Sequence, residues 1–434
     1  MKRWAAFILV TLIVAGAVAA SILMPVTRPQ PQEITLPVSR MLSCPIGDAN
    51  LGKTVVTVTD QENFVAGELN ALASDPTTNA SIENPSKPVI VRGSATVSGV
   101  STYTETDTDT DTGHSMAVPC APPITTGSWN GVSVGDGATL VFTNVDTSSA
   151  VVDVFLYGQT GPIAQPGLRD IPVASGVTQM LPISSTLVTG SGATDSPISV
   201  QIRASKGRVA AVLRTMGTGG YDWQLPQTSP DTELLIAGIP AGEGNRSLNI
   251  TNTDPSNKAV ITVEIIGESG SFAPLGLETI EIAPSRAASV DITQALGGQA
   301  SAVHLVSDRP VTATVVMTGA DIAGISAQPA LNGAAVLPGV GGTLWIANPS
   351  DETATVAMDS HDSSGVLTTD TVDVTAHTIL SVPFPSSGTV KLSSESSVVR
   401  TSLVLDSQSL SILPISGGGI VTSVPAPQIA PGLG

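Results

Sequence analysis

Aromatic residues make up only 3% of this 434-residue chain and charged residues only 12%. Lysine and arginine together number 18 against 36 aspartates and glutamates, a formal charge of −18. So few cations leave no basic stripe to displace counterions from a phosphate backbone, and so few rings leave no stacking platform for bases. Nucleic acid is therefore excluded as a partner. The two cysteines, Cys44 and Cys120, form no Cys-x-x-Cys pair and have no histidine cluster beside them, which excludes a zinc site of ordinary spacing. His114, His304, His361 and His377 are scattered, no two at metal-ligand spacing, and each reads as a surface or core-edge residue. There is no Gly-x-Ser-x-Gly elbow, no Walker loop, and no Gly-x-Gly-x-x-Gly between a strand and a helix. Nothing nominates a pair of carboxylates for glycoside hydrolysis. These absences point away from an enzyme and imply no cofactor.

Long apolar runs are also missing, with one exception. Trp4 to Met24, preceded by Lys2 and Arg3 in a short n-region (1–3), is long enough to cross a bilayer as a helix. The positive flank would keep the N-terminus in the cytoplasm and place the rest of the chain outside. Small residues at Ala17 to Ala20 also suit cleavage of a signal peptide, so the alternatives are a single-pass anchor or a secreted protein. Pro25, Pro29, Pro31 and Pro37 then describe a stalk over 25–40, since proline resists helix and stiffens the chain. In an exported chain the even cysteine pair predicts a structural disulfide, Cys44 to Cys120. Thr104 to Gly113, "TETDTDTDTG", alternates Asp107, Asp109 and Asp111 like the start of a calcium loop. The pattern departs from such a loop at its sixth and twelfth positions, Thr112 and Val118, so a solvated acidic loop is the simpler reading and weak calcium binding the alternative. The tail over 425–434, rich in proline and glycine, has no core-forming pattern and reads as flexible.

Between stalk and tail, over 41–424, the chain is built of strands and repeats itself. "TLVFTN", "SLNITN" and "TLWIAN" end at Asn144, Asn252 and Asn348, about 100 residues apart, and matched spacings follow each. Next come "AVVDVFLYG", "AVITVEIIG" and "ATVAMDSHD". Val152, Val154 and Leu156 point one way, as do Ile261, Val263 and Ile265, which is the period-two signature of a half-buried strand. The last copy keeps Val356 and Met358 but has Ser360 at the final inward place. The asparagines read as turn residues, able to bond the backbone at strand ends. A second kind of unit, "SVQIRASKGRVAAVLRTMG", "AVHLVSDRPVTATVVMTG" and "TVKLSSESSVVRTSLVLDS", looks like a hairpin around a polar turn, with a weaker copy from Pro88. "YDWQLP", Tyr221 to Pro226, gathers scarce aromatics and reads as a packed strand. The two unit types total seven, each about four strands long. An odd count favours a closed ring, so the expected fold is all-β: a seven-bladed β-propeller of four-stranded units, or alternatively tandem immunoglobulin-like β-sandwiches.

The early apolar span, the "SCP" and "PCAPP" cysteines, "TNTDPSNKAVITVEIIGESGSFAPLGLETIEIAPSRAASVDI", "SAVHLVSDRPVTATVV" and "YDWQLP" together resemble an uncharacterised family of actinobacterial exported proteins, a domain of unknown function. The Ala/Val/Thr/Gly-rich, lysine-poor usage fits a GC-rich source of that kind. The resemblance covers most of 41–424 and implies a surface location, with no known activity or functional residues. The combined expectation is a non-enzymatic extracytoplasmic envelope protein, a membrane-tethered scaffold or interaction module. Its partners would be the membrane, through the N-terminal helix, and cell-wall glycan or envelope proteins. The alternatives are a binding module for cell-wall glycan or a secreted ligand, and a cryptic glycan-active enzyme.

Overall fold

The alternating runs are strands with their apolar faces inward. Val152, Val154 and Leu156 are buried, as are Ile261, Val263 and Ile265, while Thr262 between them is exposed. The structure, a computed structural model, describes residues 33–35, 40–45, 52–59, 62–93, 96–106, 113–134, 137–188, 196–217, 220–331, 333–362, 364–396, 398–405, 409–417 and 423–425. The span Trp4 to Met24, most of the stalk and nearly all of the tail lie outside them. Among the described residues no helix is long and apolar enough to cross a membrane. The chain divides into two compact units, a small one holding both chain ends and a large one over Ser39–Ile420. In the small unit β1 (Glu33–Thr35) pairs antiparallel with the last strand of the chain, Ser423–Pro425.

The large unit is four β-sandwiches in series. The first contains β2 (Arg40–Cys44), β3 (Gly52–Thr57), β4 (Phe64–Glu68), β5 (Ala71–Leu72), β6 (Asn79–Glu83), β7 (Val89–Gly93), β8 (Ser98–Thr106) and β9 (Gly113–Pro119). The second contains β10 (Thr126–Val132), β11 (Ala138–Thr143), β12 (Ala150–Gly158), β13 (Gly161–Ile163), β14 (Ile171–Val173), β15 (Thr178–Ile183), β16 (Ile198–Lys206), β17 (Ala210–Gly217) and β18 (Gly220–Gln224). The third contains β19 (Asp231–Ile239), β20 (Asn245–Asn252), β21 (Ala259–Gly267), β22 (Gly270–Phe272), β23 (Thr279–Ile282), β24 (Arg286–Asp291), β25 (Ser301–Thr318) and β26 (Ile322–Ser326). The fourth contains β27 (Gly333–Pro338), β28 (Thr343–Asn348), β29 (Ala354–His361), β30 (Leu367–Val374), β31 (Thr378–Pro383), β32 (Thr389–Ser394), β33 (Arg400–Leu405) and β34 (Ser411–Ile415).

All four follow one path. With strands counted one to eight, and short pieces such as β13 and β14 sharing fourth place, the first, second and fourth sandwiches have one sheet ordered 1-6-3-4 and the other 5-2-7-8; in the third, β25 takes both sixth and seventh places and joins the two orders into one continuous sheet of eight strands. Among the described residues the pairings between these strands are antiparallel, as in β12 with β16 and β11 with β17. The neighbours 2–5 and 3–6 are those of the B–E and C–F strands in an immunoglobulin-like sandwich. Strand 7 lies beside strand 2, and strand 1 beside strand 6, so these two have exchanged sheets relative to that fold. Facing sheets share one core. In the second sandwich Trp129, Val154 and Val200 of one sheet meet Leu140, Phe142 and Leu213 of the other, each such side chain contributing roughly 1.5–3 kcal/mol by leaving water.

This connectivity corrects the propeller expectation. A propeller blade is a sheet of consecutive strands, whereas here consecutive strands repeatedly cross between two facing sheets. The segments read as hairpins are those crossings: β16 and β17 belong to different sheets, as do β7 and β8, and β32 and β33. In the third sandwich there is no turn at all, because Ser301–Thr318 is one strand. Its first half pairs with β19 and β21, and its second half with β20 and β26. The count of seven also changes. The half-sandwich β2 to β6 carries no repeat signature in sequence, because β3 ends at Thr57 and is followed by Val58, with no asparagine at its end like those of the other copies.

The four sandwiches nevertheless close into a ring. The eighth strands meet in sequence: β9 lies beside β18, β18 beside β26, β26 beside β34, and β34 beside β9. The first strand of one sandwich also packs on strands 2 and 7 of the next: β10 on β20 and β25, β19 on β28 and β33, and β27 on β3 and β8. Small buried polar groups fasten these seams. Between second and third, the fully buried Asn130 donates from Nδ2 to Thr314 Oγ1 at 3.2 Å, and its Oδ1 accepts from Thr251 and Thr312 at 2.7 and 3.1 Å. Between third and fourth, Ser402 Oγ donates to the Ala237 carbonyl at 2.8 Å. Between fourth and first, the Ala117 N–H donates to Ser411 Oγ at 3.0 Å.

Candidate functional site

Each eighth strand ends near the ring axis, where the chain turns into the first strand of the next sandwich. Proline marks these turns, at Pro122, Pro226 and Pro329, and Pro414 lies at the corresponding end of β34. Proline lacks an N–H, so it leaves no unmet donor where the chain leaves a sheet. The turns enclose a cavity of about 400 Å³ to which all four sandwiches contribute, within the usual range of roughly 300–1,000 Å³ for a ligand pocket. Two glutamines stiffen its wall. Gln328 Oε1 accepts from the Ala237 N–H at 3.0 Å, and its Nε2 donates to the Ala237 carbonyl and to Ser402 Oγ at 3.1 and 2.8 Å. Gln227 Oε1 accepts from the Ala313 N–H at 2.9 Å, and its Nε2 donates to the Ser229 carbonyl at 2.7 Å.

Four charged side chains line this cavity: Arg40, Arg400, Asp231 and Glu233. Arg400 Nε donates to the Gln328 carbonyl at 2.9 Å and Nη1 to the Val398 carbonyl at 2.6 Å. Arg40 Nη1 reaches the Val97 carbonyl at 3.4 Å. Burial pushes both guanidinium groups down from the ordinary arginine value, and for Arg400 the fields of Glu233 and Asp231 act in the opposite direction. Glu233 and Asp231 themselves are exposed at the rim.

Asp222, 2% exposed, lies on β18, the eighth strand of the second sandwich. Its Oδ2 accepts the Gly324 N–H of β26 at 2.8 Å. Burial pushes its carboxyl well above the usual range; the nearby Asp321 adds to that, and the backbone hydrogen bonds from Gly324 and Trp223 oppose it. Around it Trp223, with Tyr221 and Leu225, packs against Tyr103, Met116 and Val118 of the first sandwich, so "YDWQLP" is a packed strand at a seam.

The other candidate residues fall as follows. Cys44 and Cys120 are joined, tying the first strand of the first sandwich to the end of its eighth. Asp107, Asp109 and Asp111 lie outside the described residues. His114 is in β9, and His361 is exposed at the end of β29. His304 and His377, scattered in sequence, come to one carboxylate: Glu264 lies 3.1 Å from His304 Nδ1 and 3.7 Å from His377 Nδ1. His304 Nε2 faces Glu233 at 3.4 Å and His377 Nε2 faces Asp351 at 2.8 Å, so acid and imidazole alternate across the seam between the third and fourth sandwiches. Strand alternation could not reveal this, because the two histidines sit on different sandwiches. Among the described residues no group of three or more such side chains is arranged to hold a metal ion.

The recurring asparagines are staples. Asn144, Asn252 and Asn348 are each 0% exposed. In each, Nδ2 donates across the loop, to the carbonyls of Ser148, Asn257 and Glu352, and to the carbonyls of Val173, Ile282 and Val374. Oδ1 accepts the N–H two residues on, from Asp146, Asp254 and Ser350.

No curated protein sequence matches the chain. Among solved structures, the tetra-tandem repeat in the extending region of a large adhesion protein aligns over 89% of this chain and all of its own, at 10% identity and a TM-score of 0.11. The Streptomyces avermitilis alpha-L-rhamnosidase complexed with L-rhamnose aligns over 85% of this chain and 54% of its own, at 9% identity and a TM-score of 0.12. Neither likeness carries an argument about fold or function at those scores. The model of a family of unknown function, DUF5719, matches residues 79–385, from the first sandwich through the fourth, and the chain therefore belongs to the DUF5719 family.

Proposed function

We propose that this protein is a non-enzymatic envelope scaffold, held to the membrane by the span Trp4 to Met24 and presenting its ring outside the cell. The observation that carries the reading is the convergence of three inter-sandwich turns and the end of β34 on one axial cavity. Four sandwiches joined that way offer one composite binding mouth and a rigid surround, which suits holding a partner. The disulfide between Cys44 and Cys120 accords with an oxidising compartment. A C-terminally tagged full-length chain should fractionate with membranes and be cut by protease added to intact cells. Recovery of the tag in the cytoplasm would sink the proposal.

The size of the cavity supports a second reading, a module that binds cell-wall glycan or a secreted ligand in the axial mouth. Retention of the purified chain on isolated wall material, lost on truncating Leu225 and Leu234 to alanine, would support it, and a blank pull-down would count against it. For a glycan-active enzyme the cavity offers two carboxylates, Asp231 and Glu233, but both come from the single strand β19. Glycoside hydrolysis requires carboxyl groups flanking the scissile bond.

A further inference from the structure

We propose that the axial cavity binds a short peptide as a zwitterion, with its free carboxylate against Arg40 and Arg400 and its ammonium against Asp231. This rests on the reading of the cavity as a binding mouth. A guanidinium cannot shed its proton, and burying one without a counter-charge is costly. Arg40 and Arg400 are both half-buried in the cavity wall, and although Glu233 and Asp231 act on Arg400 from the rim, among the described residues neither arginine has a carboxylate within ion-pair distance. Both are steered by backbone carbonyls, to Val97 in one case and to Gln328 and Val398 in the other. A guanidinium has five N–H donors, so each keeps donors for a ligand. In a chain of net charge −18, two such groups in one cavity form a local anion site.

The rim has the opposite sign. Asp231 and Glu233 both line the cavity from β19, on either side of an irregularity in its pairing with β25. Glu233 is turned toward His304 at 3.4 Å. Asp231 accepts the Thr232 N–H on Oδ1, leaving Oδ2 to the mouth. A simple anion would meet these carboxylates on entry and be repelled, and a neutral sugar would leave the guanidinium groups unpaired. A molecule carrying both charges satisfies both. Leu225 and Leu234, also in the lining, supply apolar wall for its side chains.

The test is calorimetric titration of the detergent-solubilised full chain with trialanine, trialanine amide and N-acetyl-trialanine. Trialanine should bind, and either cap should weaken it about tenfold to a hundredfold, the span expected for losing one charged hydrogen-bonded contact. Arg400→Gln should weaken trialanine and abolish its advantage over the amide. Asp231→Asn should abolish its advantage over the acetylated peptide. Arg400→Lys, with far-ultraviolet circular dichroism on every variant, controls for misfolding and should retain part of the discrimination. Equal binding of all three peptides, no saturable heat with trialanine, or unchanged discrimination in folded Arg400→Gln would overturn the proposal. Each of those outcomes leaves the envelope reading standing, while a cytoplasmic location would remove that reading and leave the isotherms unaffected.

Discussion

Replacing Asn252 with alanine isolates what the repeated asparagine contributes. Its Nδ2 donates to the carbonyls of Asn257, Ile282 and Ala283 at 2.8, 3.1 and 3.3 Å, and its Oδ1 accepts the Asp254 N–H at 3.0 Å. These partners are not equal. Asn257 is exposed and Asp254 only half-buried, so water can replace the side chain there, at about 0.5–1 kcal/mol each. Ile282 is 2% exposed, and a carbonyl left unmet in such a place costs roughly 1–3 kcal/mol. The expected destabilisation is therefore about 2–5 kcal/mol, read as a fall in the guanidinium midpoint at constant slope. Asn252→Asp keeps the shape and the bond from Asp254 but turns an acceptor toward three carbonyls. Its folded pKa should rise, so the variant should be tolerated at low pH and lose stability progressively as pH climbs above the ordinary aspartate value of about 3.9. If Asn252→Ala costs less than about 0.5 kcal/mol, the range of ordinary surface changes, or if Asn252→Asp matches the parent at pH 8, the staple argument is wrong.

Removing the disulfide with Cys44→Ser and Cys120→Ser, which frees a loop with a sequence separation of 76, should cost about 4–5 kcal/mol in the chain-entropy model, seen equally when the parent is unfolded under reducing conditions. Asp222, its carboxyl raised by burial, contributes stability that is complete below the unfolded aspartate value and is lost as pH rises toward its folded one. Asp222→Asn should thus raise the melting temperature at pH 8 more than at pH 5, and an equal change at both would contradict the assignment. Gly324→Ala would drive its Cβ into the side-chain amide of Gln224, itself 3% exposed. Such overpacking should cost roughly 1–3 kcal/mol, with Gly276→Ala, where no atom lies within 4 Å but φ is +77°, as the comparison for backbone strain alone.

The strands were legible because alternation reports which face a residue takes, as Ile261, Val263 and Ile265 show. Partnership was not, because alternation is the same whether the next strand pairs alongside or crosses to the opposite sheet. "SAVHLVSDRPVTATVVMT" illustrates the difficulty. Its polar middle, Ser307 to Pro310, looks like a turn, but the backbone runs on through it. An odd count of units does not indicate closure here: the half-sandwich β2 to β6 lacks the asparagine, and with it the units are even in number, four sandwiches closed through their eighth strands. The cavity was invisible in sequence, since Arg40 and Arg400 lie at nearly opposite ends of the chain and meet only after closure.

That closure has a consequence in time. Thr57 bonds Thr389, and Val100 and Ala117 of the first sandwich pack in one cluster with Leu337 and Leu392 of the fourth. During synthesis the first sandwich is finished long before these partners exist, so its seam face stays wet until nearly the whole chain has emerged. Contacts so distant in sequence form slowly, and an exposed apolar face during that delay invites association with other chains. The final docking of the fourth sandwich on the first is therefore the step at which nascent chains either complete themselves or capture a neighbour.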